Sequence, residues 1–304
     1  MRVFVTGASG HIGSAVIPEL LRHGHQVVGL ARSDTSAAAV AALGAEVRRG
    51  DLSDIDGLQA AATESDGVIH LAFDHAAMQA GRWAEAAAGE VAAVTALGEV
   101  LAGTDKPFIS TGGTLLLATL GLDRPATEDD FLPGGPRADA ENHVIALAER
   151  SVRSSVIRLA SMVHSDLDHH GFTHALIGMA RANGFAAYIG DGANHWGGVN
   201  SRDAAVLYRL ALEQGPAGRR FHAIESDGIP FRTVAETIAG RLDLPARSIT
   251  AEEAPQYLGF LAGFAGMDAL VDSAQTRETL SWQPTHPSWT EDMAAEHYFA
   301  EVAV

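Results

Sequence analysis

The chain has 304 residues, 47% of them apolar, with a formal net charge of −17 and no cysteine. That length can bury a large core in roughly two structural units. The acidic balance argues against nucleic acid, which needs a basic surface to displace counterions, and the lack of thiols excludes disulfides, thiolate catalysis and Cys-ligated metal sites.

Residues 3–5 form an apolar run that predicts a buried strand, and Ile12, Ala15, Val16 and Leu20 recur at helical spacing just after it. Between them lie Gly7, Gly10 and Gly13. The first suits a tight turn, the second lets backbone approach a ligand, and the third lets helix pack closely on strand. A strand–glycine turn–helix unit of this kind predicts a dinucleotide site, with the pyrophosphate at the helix N-terminus. A second strand is predicted over 25–30, a helix over 35–43, a third strand at 46–48, a helix over 55–63 and a fourth strand over 67–73. A long Ala-rich helix over about 75–102 leads to a fifth strand at 107–110; it could support a dimeric helix bundle. Residues 111–136 read as loop, 138–150 as helix and 155–159 as a sixth strand. This alternation predicts an α/β fold, a Rossmann-type doubly wound parallel sheet with right-handed crossovers. Beyond residue 165 shorter elements follow, with strands near 186–189 and 219–224 and helices near 173–183, 203–214, 231–242 and 288–300. The expected organisation is a dinucleotide-binding domain over 1–165, plus returning segments, and a smaller α/β substrate lobe over 166–304, packed as one unit. No apolar run reaches the ~18 residues of a membrane helix. The first strand starts too early to leave room for a signal peptide. A cytoplasmic protein with a small-molecule substrate, no membrane and no nucleic acid is expected.

The motifs together resemble the short-chain dehydrogenase/reductase superfamily, in its extended, epimerase/dehydratase-like branch. Residues 6–13 look like the family's cofactor fingerprint, which implicates Gly7, Ser9, Gly10, His11, Ile12 and Gly13. Asp51 and Leu52 resemble its adenine-contacting pair. Leu71, Ala72 and Phe73 stand where its fourth strand meets the cofactor. Ser110 and Thr111 stand where its fifth strand carries a catalytic hydroxyl, with Ser110 also against the cofactor. Val163 completes the implied cofactor set, and residues 199–205 and 276–284 resemble two further family segments. The resemblance implies an NAD(P)-dependent oxidoreductase, with an epimerase or dehydratase also within the branch. Cofactor choice reads physically: an NAD site needs a carboxylate at the end of the second strand for the ribose 2′-OH. Here Ala31 is followed by Arg32 and Ser33, and a guanidinium favours a 2′-phosphate. NADP(H) is expected over NAD(H).

The family's Tyr-x-x-x-Lys pair is absent, because the only lysine is Lys106 and the tyrosines begin at Tyr188. Its two positions fall on about Arg137 and Glu141. Reduction of a carbonyl still needs a proton donor. His164, after the sixth strand, is the leading candidate, with His143 and His75 behind it and Ser110 or Thr111 orienting the substrate oxygen. Arg137 and Glu141, one helical turn apart, form either an oxyanion site or an exposed ion pair. A third reading is a non-catalytic NADP(H)-binding sensor. The His/Asp-rich stretch 164–170 matches no metal template, and no metal is expected there. Residues 188–198, with His195 and Trp196, are a candidate wall of a substrate cavity.

Overall fold

The apolar run near the start lies in β1 (Arg2–Thr6), buried on both faces as a parallel strand covered by two helical layers must be. The computed structural model describes residues 1–226 and 228–299. The remaining strands are β2 (Gln26–Ala31), β3 (Glu46–Arg49), β4 (Gly67–His70), β5 (Pro107–Gly113), β6 (Arg153–Leu159), β7 (Met162–His164), β8 (Ala186–Ile189), β9 (His195–Trp196), β10 (Gly198–Asn200), β11 (Arg219–Ala223), β12 (Ile229–Pro230) and β13 (Ala246–Ile249). Seven of them form one parallel sheet in the order β11-β6-β5-β4-β1-β2-β3. The fold is therefore the expected doubly wound α/β, and its order reverses between β1 and β4. In such sheets ligands bind outside the strands' carboxyl ends at that crevice.

In chain order the helices are α1 (His11–Arg22), α2 (Asp34–Ala42), α3 (Ile55–Thr63), α4 (His75–Gln79), α5 (Trp83–Leu101), α6 (Ala138–Ala146), α7 (Phe172–Asn183), α8 (Ser201–Gln214), α9 (Phe231–Leu242), α10 (Ala254–Leu258), α11 (Ala274–Leu280) and α12 (Trp289–Met293). Two cores sandwich the sheet. Val3, Val5, Ile69 and Ile109 face α1 and α8, while Phe4, Val68, Phe108 and Val156 face α3, α5 and α6. A third core, built on α7, α9 and β8, holds Trp196, Phe231 and Trp289.

Three expectations change. The long helix over 75–102 is two helices, α4 and α5, broken at Gly81, whose φ of +77° no helical residue adopts. The fifth strand runs on to Gly113 and is followed by a 3₁₀ turn over Thr114–Leu120 where loop was expected. The strand near 219–224, expected among the short strands of the later lobe, is β11 and completes the large sheet beside β6. The two late family-like segments, far apart in the chain, meet: Trp282 Nε1 donates to the Asp203 carbonyl at 2.9 Å, and the Asp203 carboxylate accepts from the Thr285 and His286 amides.

Candidate active site

Each glycine of the first turn has its own spatial reason. Gly7 sits at φ +66°, and a Cβ there would lie 2.8 Å from the Ala72 nitrogen and 2.9 Å from the Leu71 carbonyl carbon. It seals β1 against the end of β4. A Cβ on Gly13 would come within 2.4 and 2.5 Å of the Ala8 and Gly7 carbonyl oxygens, so α1 closes onto the turn only with glycine there. Gly10 differs: a Cβ would meet only the Gly7 carbonyl oxygen, at 3.2 Å, and Gly10 and Ser9 are exposed. Gly10 is the N-cap of α1 without a side-chain cap, and the first turn carries no acid. α1 thus starts at the carboxyl end of β1, beside β4, with no side chain capping its first turn, which fits an anionic pyrophosphate. Gly10→Ala, at φ −83°, is expected to leave the thermal midpoint almost unchanged and to weaken dinucleotide affinity about tenfold, about 1.4 kcal/mol. Fluorescence titration with NADPH checks it.

At the end of β2, Arg32 and Ser33 are exposed. The Ser33 hydroxyl caps α2 through the Ser36 amide. Asp34, the nearest carboxylate on that turn, is held by Arg49 at 3.0 Å. Arg49 also donates to the Ser33 carbonyl. Just past the neighbouring β3, Asp51 accepts from the Ser53 amide and hydroxyl at 2.8 and 2.6 Å, and those bonds hold its carboxyl below the usual range. Leu52 is half-buried beside it, as are Leu71, Ala72 and Phe73 at the end of β4 and Val163 in β7.

The strand register aligns Thr6, His70, Ser110 and Val156 across the sheet, and Val156 belongs to the α5–α6 core. Ser110 therefore faces the α5–α6 layer, where it is buried. Thr111 faces the opposite layer: its hydroxyl donates to the His70 carbonyl at 2.8 Å and lies 2.7 Å from the Tyr208 hydroxyl on α8. His164 is 0% exposed, with Nδ1 at 2.9 Å from Asp292 and Nε2 at 3.1 Å from Glu225. Burial opposes its charge, but the two carboxylates win and raise its pKa. Both ring nitrogens are committed, so the ring is held between carboxylates and not presented to the cleft. His75 packs edge-on to Phe73, and His143 lies near Arg150 and Glu99.

Arg137 and Glu141 do not pair with each other. Arg137 caps α6 from outside the helix, at φ +67°, a left-handed conformation that side chains adopt at a cost. Its guanidinium stacks on Phe73 at 4.1 Å, donates to the Thr111 carbonyl at 3.1 Å, and comes within 3.5 Å of Glu90 on α5. Glu141 turns instead to the sheet, accepting from Arg158 at 2.6 and 3.0 Å and from Arg220 at 2.6 Å. Gly112 leaves room for it, since a Cβ there would lie 3.0 Å from Glu141 Oε2.

The stretch 164–170 is divided among separate partners: Asp166 pairs with Arg202, and Asp168 takes the His170 and Gly171 amides. Among the described residues no group of three or more His, Asp or Glu is arranged to hold a metal. Trp196, expected to line a cavity, is wholly buried against Phe231, and the Asn194 amide is spent on the Ala265 and Met267 carbonyls. Trp196 is thus lobe core, while Gly190, Asp191 and Ala193 of the same stretch are exposed.

Comparison with known proteins agrees with this architecture. Residues 3–129 match the NAD dependent epimerase/dehydratase family. An uncharacterised protein of Schizosaccharomyces pombe is 40% identical, covering 98% of this chain and 100% of its own. The chain belongs to the NAD-dependent epimerase/dehydratase family. Family membership makes it an NAD(P)-dependent oxidoreductase. A decarboxylating sterol-4-alpha-carboxylate 3-dehydrogenase of Dictyostelium discoideum is 27% identical over 76% of this chain and 73% of its own. The dTDP-glucose 4,6-dehydratase DesIV of Streptomyces venezuelae, solved with NAD and TYD bound, shares the fold at TM-score 0.78 and 18% identity, covering 97% of this chain and 95% of that one. No helix among the described residues is long and apolar enough to cross a membrane.

Against the family's usual machinery, three residues stand out that the sequence reading passed over. Arg49 adds a second guanidinium beside Arg32. His70 is buried, its Nδ1 2.9 Å from the Thr6 hydroxyl and its Nε2 without a partner; burial, then nearby Arg137, lowers its pKa to about 4. Glu90 is 4% exposed, and burial raises its pKa to about 7 despite Arg137. A signal for Glu90 was present: it interrupts the buried stripe Ala86, Ala93, Val94, Leu97 and Leu101 at helical spacing.

Proposed function

We propose that the chain is an NADP(H)-dependent oxidoreductase acting on a small carbonyl or alcohol. The observation that carries the cofactor choice is the end of β2, where Arg32 is exposed and Arg49 reaches the same turn, donating to the Ser33 carbonyl and pairing with the exposed Asp34 carboxylate. A ribose 2′-phosphate would meet two guanidiniums; a ribose 2′-OH would find on that turn only Asp34, whose charge Arg49 offsets. When bound, the nicotinamide supplies or accepts the hydride. Gly7, Gly10 and Gly13 admit the dinucleotide, Asp51 and Leu52 flank its adenine end, and Leu71, Ala72, Phe73 and Val163 border the remainder. Ser110 and Thr111 lie within β5, short of its end at Gly113, on the approach to where a substrate oxygen would lie, with Thr111 steadied by Tyr208. His164 acts at a remove, fastening the later lobe, because its ring nitrogens are both engaged.

Hydrogen bonds to charged groups contribute about 1.5–3 kcal/mol each. NADPH is therefore expected to bind at least about tenfold more tightly than NADH, with Arg32→Ala or Arg49→Ala removing most of the difference. Titration of both cofactors against the three proteins checks this, and equal affinities in the unmutated protein would overturn it. Tight NADPH binding with no oxidation over a panel of aldehydes, ketones and sugar nucleotides would favour the sensor reading.

A further inference from the structure

We propose that Glu90 is the proton donor of this active site and that Arg137 holds the reacting oxygen in front of it. The proposal rests on the oxidoreductase reading and names the group that takes over from the missing tyrosine. Its geometry is a buried acid directly behind a guanidinium at the strand edge. Arg137 is 17% exposed by its side chain, while Glu90 beneath it is 4% exposed, and Nη2 of the one lies 3.5 Å from Oε1 of the other. Among the described residues, Oε2 of Glu90 has no hydrogen-bond partner. A carboxyl oxygen left bare inside a protein costs free energy that no packing need here explains. The left-handed backbone at Arg137 is a second cost at the same place, and strain of this kind gathers at functional sites.

The surroundings leave Glu90 as the exchangeable group. Arg137 at the N-cap of α6 faces it, and the charge of Glu141 on α6 also acts on it. His70 on β4 and His75 at the start of α4 both lie near Arg137, and His70 stays neutral because its pKa is about 4. Ser110 comes from β5 and is uncharged, and α3 turns Leu58, Ala61 and Ala62 toward this layer. Arginine stays protonated near neutral pH and cannot give up its proton, whereas a carboxyl with a pKa of about 7 is half protonated there.

In the reductive direction the carbonyl π bond breaks as hydride adds to carbon, and the electron pair left on oxygen takes the proton from Glu90, directly or through one water. Glu90 becomes a carboxylate beside Arg137 and regains its proton from solvent. Arg137 donates hydrogen bonds to the oxygen while its charge develops.

The decisive measurement is proton release on NADP⁺ binding, by calorimetry at pH 7 in two buffers of different ionisation enthalpy. On this proposal the oxidised nicotinamide would bind near Glu90 and its charge would favour the carboxylate, so release approaching about half a proton per site is expected. Glu90→Gln should abolish the release while keeping NADPH affinity within about threefold, and should lower carbonyl reduction by about 100-fold or more. Arg137→Met, which removes the charge facing Glu90, should move the release to higher pH, so the proposal stays testable if Glu90→Gln folds poorly. Without cofactor, the raised carboxyl pKa means that the folded state holds a proton the unfolded chain has lost between pH 4.5 and about 7. The unmutated protein should therefore lose thermal stability relative to Glu90→Gln as pH rises through that window. Unchanged proton release in Glu90→Gln, or a flat stability difference, would overturn the proposal alone. Failure of both dinucleotides to bind would remove the oxidoreductase reading and the proposal with it.

Discussion

Glu141→Ala is expected to lower the free energy of unfolding by about 3–5 kcal/mol, the cost of stranding a buried charge by removing its partner. Arg158 is the stranded group, its side chain only 2% exposed. Two of its nitrogens bond Glu141, and Nη1 donates to the Asp130 carbonyl at 2.8 Å and approaches His222 Nε2 at 3.1 Å. His222 cannot help by accepting a proton. Burial and then Arg158 lower its pKa to about 4, and its Nδ1 is already turned to the Asp272 carbonyl. Burial pushes the Glu141 carboxyl up, but the Arg158 and Arg220 guanidiniums outweigh it and hold the group below its ordinary range. The acid is thus charged at neutral pH, and its loss leaves Arg158 with no anion in contact. Urea unfolding at constant m-value measures the effect. The paired change Glu141→Leu with Arg158→Met should recover most of it, since apolar replacement of a buried pair is close to neutral. A single-variant loss below about 1 kcal/mol would show that Arg158 finds solvent or another anion. The consequence for function is positional: Glu141 pins α6 to β6 and β11, and α6 in turn sets Arg137 at the edge of the sheet.

The glycine turn was legible because its constraints are local. Gly7, Gly10 and Gly13 each answer to atoms within a few residues or to the next strand, and the alternation of strand and helix needed only periodicity. The proposed catalytic face was not legible, because its partnerships cross the fold. An i,i+4 pair between Arg137 and Glu141 presumes that both are helical; with Arg137 at φ +67° outside α6, the two side chains diverge toward α5 and the sheet. Asp166 and Asp168 stand nearest His164 in sequence, yet its partners are Glu225 and Asp292, 61 and 128 residues away. Glu90 was visible as a lone acid on an apolar stripe, but only the fold shows which cation meets it. Arg49 was hidden because the end of β3 reaches the end of β2 through register, pairing Arg49 with Ala31.

His164→Leu is expected to cost about 3–5 kcal/mol at pH 6 and progressively less as pH rises beyond 6.5. In the unmutated protein the ring sits between Glu225 on the segment after β11 and Asp292 on α12. Glu225 also accepts from the Trp289 amide at 2.5 Å, and His297 lies 3.7 Å from Asp292. One imidazolium therefore ties β7, the β11 exit and the C-terminal helix together. The sign follows from the raised pKa: the folded state keeps a proton that the unfolded chain releases above about 6.5. The stabilisation is fully present below that value and is lost as pH climbs through the folded-state pKa. A neutral ring then sets a lone pair against one of two carboxylates, and α12 loses its charged fastening. Thermal midpoints of the unmutated and His164→Leu proteins at pH 6 and pH 8.5 should converge at the higher value. A gap that stays constant with pH would mean that the ring is neutral throughout and contributes by packing alone. Cofactor affinity supplies the complementary check. Val163, which the proposed cofactor site includes, stands one residue before His164, so a lobe loosened at high pH should also bind NADPH less tightly, and the loss should track the fall in thermal midpoint.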